Sequence, residues 1–197
     1  MEYPSLDKPN AGATRFNTDS SQLEIYDGNQ WTGILATSPE QLTGGTRGVL
    51  GGGYNPSTWT NTIDYINIST TGDAVNFGDL TAARGDFSGT ISSRTRGCFA
   101  GGYFPSPQVR HNTIDYITIA STGNAADFGD LTVARNKGGA STSPTRCVFG
   151  GGSGSPTYVD TIDYVEILTT GNAVDFGNLV RGASRCYGSF SNAHGGL

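Results

Sequence analysis

Apolar and polar side chains alternate over short stretches of this chain, and the stretches recur. In Thr62–Ser69, Ile63, Tyr65 and Asn67 fall on one face and Asp64, Ile66 and Ile68 on the other, the period-two pattern of a β-strand. The same run returns as Thr113–Ala120 and Thr161–Leu168. Further strands are predicted at Ala74–Leu80, Ala125–Leu131 and Ala173–Leu179, and, more weakly, at Gly89–Ser92, Gly139–Thr142 and Gly188–Ser191. The run into a glycine pair, such as Val49–Gly52, supplies another. Thr71-Gly72-Asp73, Thr122-Gly123-Asn124 and Thr170-Gly171-Asn172 separate strands with residues suited to tight, positive-φ turns. No segment has helical periodicity.

Three landmarks return in one order. Ile-Asp-Tyr stands at Ile63-Asp64-Tyr65, Ile114-Asp115-Tyr116 and Ile162-Asp163-Tyr164. Phe-Gly-Asp/Asn-Leu begins at Phe77, Phe128 and Phe176. An arginine followed by a short apolar strand and a glycine pair begins at Arg47, Arg96 and Arg146. The aspartates Asp64, Asp115 and Asp163 step by 51 and then 48 residues, the arginines by 49 and then 50. A period of about 50 residues with four strands marks a stacked repeat. One such sheet cannot bury both of its faces alone, so copies must stack on one another. The expected organisation is a three-strand β-meander at residues 1–36, a polar linker at 37–45, and three repeats at 46–94, 95–144 and 145–197. Within the meander, strands are predicted at Thr14–Asn17, Gln22–Tyr26 and Gln30–Leu35, with turns at Asn17–Ser21 and Asp27-Gly28-Asn29.

The double glycine followed by tyrosine, Gly52-Gly53-Tyr54 and Gly101-Gly102-Tyr103, resembles kelch repeats. The resemblance implies an all-β, propeller-like fold of three four-stranded blades. The third copy departs from it at Ser153, and phenylalanines Phe77, Phe128 and Phe176 stand in for the kelch tryptophan. Closed propellers have about four to eight blades. Three copies therefore imply a ring of two chains, a fourth blade from the N-terminal segment, or an open array against other subunits. Homo-oligomerisation, as a dimer or trimer, is expected because an open array leaves edges and faces uncovered.

The N-terminal pattern Gly12-x-x-Arg15-Phe16-Asn17-Thr18-Asp19, with Leu23-Glu24-Ile25-Tyr26-Asp27-Gly28-Asn29-x-Trp31, resembles a module of tailed-phage tail fibres and other virion proteins. Followed by Thr-Ile-Asp-Tyr repeats, it is similar to structural proteins of marine phages, including those of cyanobacteria. The resemblance implies a virion structural protein (a fibre, decoration or neck/tail accessory) assembled in a host cytoplasm. It implies that the module attaches the chain to other virion proteins and often associates as a trimer; the alternative is a hairpin that caps the first repeat.

Composition changes this picture little. Thirty glycines in 197 residues are about twice the usual 7% share, as tight turns require. They do not recur every third residue, which excludes collagen. Twelve lysines and arginines against 17 aspartates and glutamates give a net charge of −5, which disfavours sequence-independent nucleic-acid binding. No apolar run is long enough to span a membrane as a helix, and Met1–Ser5 has no signal-peptide character. Cys98, Cys147 and Cys186 lie far apart and read as small buried hydrophobes in a reducing compartment. His111 and His194 fall on unlike parts of the repeat, so no metal site and no cofactor is expected. Ala193–Leu197 reads as a terminating cap.

Residues that recur once per repeat suit structure better than catalysis. Arg47, Arg96 and Arg146 are expected to pair with Asp64, Asp115 and Asp163, tying strand to strand. No catalytic motif is present, and an enzyme is not expected. Binding is placed in the loops after the glycine pairs, where the copies diverge. Tyr54, Trp59, Tyr103, Phe104, His111 and Tyr158 are the candidates. They stack on a host surface glycan in a lectin-like alternative, dock a neighbouring protein, or simply cover strand edges.

Overall fold

A computed structural model describes residues 8–19, 22–34, 45–180, 188, 189 and 191. The linker at 37–45 (except Gly45), Cys186, His194 and the cap at Ala193–Leu197 lie outside the described residues, as does Met1–Ser5. The chain divides into two compact units, Met1–Thr43 and Gly44–Leu197. Among the described residues every regular element is a β-strand, and the strands form several small antiparallel sheets.

The N-terminal unit is a meander of β1 (Thr14–Asn17), β2 (Gln22–Tyr26) and β3 (Trp31–Gly33), in that order. Its second turn forms because the Asp27 carboxylate accepts hydrogen bonds from the amides of Asn29 and Gln30, both at 2.8 Å. Gly28 takes the positive φ that this Asx turn needs. Period two then sorts the side chains. One face holds Arg15, Glu24, Tyr26 and Trp31. There Arg15 Nε donates to Glu24 at 2.7 Å and its guanidinium stacks over Trp31 at 4.3 Å. The other face carries Phe16, Leu23 and Ile25, all exposed.

In the second unit the first sheet is β4 (Arg47–Tyr54), β5 (Trp59–Asn67) and β6 (Val75–Asp79). The second contains β7 (Gly89–Ser92), β8 (Arg96–Ala100), β11 (Thr113–Thr118) and β12 (Ala126–Asp130), ordered β12-β11-β8-β7. A small hairpin of β9 (Tyr103–Pro105) and β10 (Gln108–Arg110) lies between β8 and β11 in the chain. The third sheet is β13 (Gly139–Thr142), β14 (Arg146–Ser153), β15 (Tyr158–Glu166) and β16 (Val174–Asn178), paired in chain order. The glycine pair makes a bulge: the β4–β5 register slips between Gly51 and Gly53. Gly52 sits there at φ +65°, where a Cβ would collide with the Arg84 carbonyl.

Sequence repeats and sheets are out of phase by one strand. Gly89–Ser92 does not join Val75–Asp79 of its own repeat. It pairs with Arg96–Ala100 of the next, Thr90 opposite Phe99. Gly139–Thr142 pairs likewise with β14, Ala140 opposite Phe149. Each four-stranded sheet therefore opens with a strand from the preceding repeat.

The predicted turns serve a further purpose. Residues 123–125 run as a strap along β6 of the preceding sheet. Gly123 N donates to Phe77 O at 2.7 Å, Ala125 N to Asp79 O at 2.8 Å, and Asp79 N to Asn124 Oδ1 at 3.1 Å. Residues 171–173 repeat these bonds on β12, through Phe128 O, Asp130 O and Asn172 Oδ1. The approach demands glycine on the receiving strand: a Cβ on Gly129 would run into the Gly171 carbonyl.

The core lies between sheets. Ile63, Phe77 and Leu80 of the first pack against Phe99 and Ile117 of the second. Ile114, Phe128 and Leu131 of the second pack against Phe149, Val165, Ile167 and Ala173 of the third. Each sheet thus has a front face, turned to the following sheet, and a back face, turned to the preceding one.

Candidate functional site

The expected pairs of Arg47, Arg96 and Arg146 with Asp64, Asp115 and Asp163 do not form; Asp115 and Asp163 pair with other arginines. Asp115 and Asp163 are fully buried. Asp115 Oδ2 meets Arg84 Nη2 at 3.0 Å, and Asp163 Oδ2 meets Arg135 Nη2 at 3.0 Å. Both arginines belong to the sequence just after the preceding Phe-Gly-Asp-Leu motif, so each pair crosses from one sheet to the next. Thr81 completes the first clamp, its hydroxyl donating to Asp115 Oδ1 at 2.7 Å and its amide to Oδ2 at 3.0 Å. Thr132 does the same for Asp163 at 2.6 and 3.2 Å. Arg84 Nε is spent on the Gly101 carbonyl at 2.9 Å. Burial pushes the Arg135 guanidinium below its ordinary range, with the Asp163 charge opposing that shift. Such a pair is held by fixed geometry; losing one member leaves an uncompensated buried charge. Asp64, the first copy, is half-buried and receives no such clamp among the described residues.

Arg47, Arg96 and Arg146 do other work. Each guanidinium lies over the tyrosine of its own Ile-Asp-Tyr motif, at 4.7 Å from Tyr65, 4.8 Å from Tyr116 and 4.4 Å from Tyr164. Each tyrosine in turn meets Phe77, Phe128 or Phe176 edge to face. The free end of the guanidinium reaches the next sheet: Arg47 Nη1 donates to Ile119 O and Arg96 Nη1 to Ile167 O, both at 2.9 Å. Arg146 turns instead to exposed Glu166 at 2.7 Å.

The two ends of this array present the same interface, opened. On the front face of the third sheet Phe176 is 56% exposed, whereas Phe77 and Phe128 are each 2% exposed. Nothing lies near a Cβ built on Gly177. On the back face of the first sheet Leu50 is 57% and Ile68 69% exposed, whereas their counterparts Phe149 and Ile167 are fully buried. A cavity of about 260 Å³ opens beside β4, lined by Arg47, Gly48, Val49, Ile91, Cys98 and Ile117 among others.

The candidate binding residues divide. Tyr54, Trp59 and Tyr103 form one aromatic cluster, with ring centroids 5.6 and 6.2 Å apart, and Arg110 lies over Tyr103 at 5.8 Å. Tyr54 is exposed, and the Trp59 ring packs over Gly85. Phe104 is half-buried in the β9–β10 hairpin. Tyr158 stands exposed at the hairpin tip of the third sheet. His111 is half-buried, and burial, helped by the Arg84 charge, pushes its pKa down. Cys98 and Cys147 are buried free thiols whose pKa values burial pushes up to about 12 and about 11, so both stay protonated and unreactive at neutral pH. Among the described residues no cluster of His, Cys, Asp or Glu is arranged to hold a metal ion.

No known family model matches the sequence, and comparison with curated proteins gives no match.

Proposed function

We propose that this chain is a structural subunit that works by protein–protein assembly, as a fibre, decoration or neck/tail accessory of a tailed-phage virion, with its sheets acting as kelch-like, propeller-like blades. The observation that carries the assembly reading is the pair of opened interfaces. Apolar positions that are covered between sheets stand exposed at both ends, at Leu50 and Ile68 and at Phe176. Apolar patches of this kind mark association surfaces. The exposed Phe16, Leu23 and Ile25 on the N-terminal meander fit an attachment module in the same way. The virion setting rests on the resemblance of residues 12–31 to virion modules. Peptide mass spectrometry of density-purified particles should find this chain at a fixed copy number; its absence from particles overturns the virion setting.

A second reading, recognition of a host glycan, is favoured by the Tyr54–Trp59–Tyr103 cluster, since aromatic faces suit sugar rings. Binding on a glycan array that is lost in Trp59→Ala and Tyr103→Ala would establish it, and a blank array would remove it.

A further inference from the structure

We infer that the front face of the third sheet docks on the back face of the first sheet in a second copy of this chain, with Ser189 and Ser191 set along β4 of that copy. Two such contacts close a ring of two chains and six sheets. The inference rests on the assembly reading above and names the partner.

The internal interfaces are the template. Sheets two and three each open with a strand from the preceding repeat, β7 and β13, and these two strands stack: a Cβ on Gly89 would run into the Ala140 side chain. Gly188, Ser189 and Ser191 occupy the next place in this series. The Ser189 hydroxyl donates to the Ala140 carbonyl and accepts from the Ala140 amide, and Ser191 Oγ donates to Thr142 O at 2.6 Å. Ser189 and Ser191 therefore lie against β13, one period beyond the place that β13 holds against β7. The register of β7 on β8 and of β13 on β14 then sets Ser189 opposite Leu50, and Ser191 opposite Gly48, of a second copy. Among the described residues of the second unit, the first of the three repeat sheets shows three strands where the second and third show four. Its open edge borders the cavity beside β4.

The remaining contacts match in kind. Phe176 O and Asn178 O stand where Phe77 O and Asp79 O receive a strap, and Gly72 and Ala74 stand where Gly123 and Ala125 deliver one. Asp73 takes the place of Asn124 as acceptor for the strand amide. Leu50 and Ile68 offer the apolar surface that Phe149 and Ile167 offer inside the chain. Arg146 lies one period beyond Arg96, facing the position of Ile68 O. Two elements differ. Val180 replaces the threonine of Thr81 and Thr132, and Ala183 falls at the spacing of Arg84 and Arg135, so the seam lacks both the hydroxyl and the guanidinium of the buried clamp and should part more readily than the internal interfaces. Closure selects the copy number. Rings hold about four to eight blades, and of the multiples of three only six falls in that range.

The full chain should therefore run at twice its 20.5 kDa mass in light scattering, reverting to single mass on dilution. Phe176→Arg should give single mass at every concentration with an unchanged circular-dichroism spectrum. On a Cys186→Ser background, Ser189→Cys mixed with Leu50→Cys should form an interchain disulfide; Ser189→Cys mixed with Val75→Cys, on the opposite edge strand of the same sheet, should not. Single mass at all concentrations overturns the inference, as does a triple mass, or a double mass without the Ser189–Leu50 cross-link. Recovery of a monomer that still enters particles would sink the ring and leave the virion reading standing. A cross-linked dimer absent from particles would do the reverse.

Discussion

Phe128 and Phe176 fill the same place in consecutive copies of one motif, on strands of equal length, each touched edge-on by the tyrosine of its own sheet. Phe128 is buried and Phe176 is exposed. Nothing within either sheet accounts for the difference. It arises because the third sheet lies over Phe128 and no described sheet lies over Phe176. The second and third sheets thus separate what a repeat does for itself, its arginine–tyrosine–phenylalanine column, from what it owes to a neighbour, its buried clamp and covered face. Burial in this fold belongs to the interface.

The largest effect should come from the clamp. Asp115→Ala strands Arg84 as a buried charge and should cost about 3–5 kcal/mol, read as a lowered urea midpoint. Asp64→Ala, its unclamped counterpart, should change stability by about 0.5 kcal/mol or less. Equal losses would erase the distinction between covered and open sheets. Next, Phe128→Ala should cost about 3–5 kcal/mol, while Phe176→Ala in dilute, single-mass protein should stay within about 0.5 kcal/mol. A large loss at Phe176 under those conditions would mean its face is covered within the chain. Smaller still, Arg96→Ala should exceed Arg146→Ala by about 1 kcal/mol, the worth of the one hydrogen bond to the following sheet; both lose the same stacking on tyrosine. The smallest effect is that of His111. Its folded pKa lies below the ordinary 6.5, so the unfolded chain takes up the proton first. Stability should be level above pH 6.5 and decline as the pH falls below it. His111→Gln should flatten that slope, and an unchanged slope would assign it elsewhere.

Much of the strand pattern was legible. Gly89–Ser92 and Gly139–Thr142 match β7 and β13, and Ala74–Leu80 brackets Val75–Asp79. The phase was not legible, because shifting the frame of a periodic sequence by one strand leaves every landmark in place. Only the register, Thr90 against Phe99, says which neighbour a strand joins. The clamp arginines escaped for a related reason. Leu80-Thr-Ala-Ala-Arg84 and Leu131-Thr-Val-Ala-Arg135 do recur, but the third copy reads Leu179-Val180-Arg181. A search for features present three times passes over one present twice. A pair that spans two repeats must be missing a partner at the ends of the series, so twofold recurrence was itself the signal. Pairing the repeated aspartates with Arg47, Arg96 and Arg146 failed because those side chains lie over tyrosine rings.

The one-strand offset also decides where the chain can be cut. A fragment trimmed to the visible period, 95–144, would carry a sheet lacking its first strand and a first strand lacking its sheet. A fragment from Gly89 to Asp130 would hold four mutually paired strands. During synthesis, then, neither of the first two repeats is finished when its own last residue leaves the ribosome; each waits on the one behind it to be sealed.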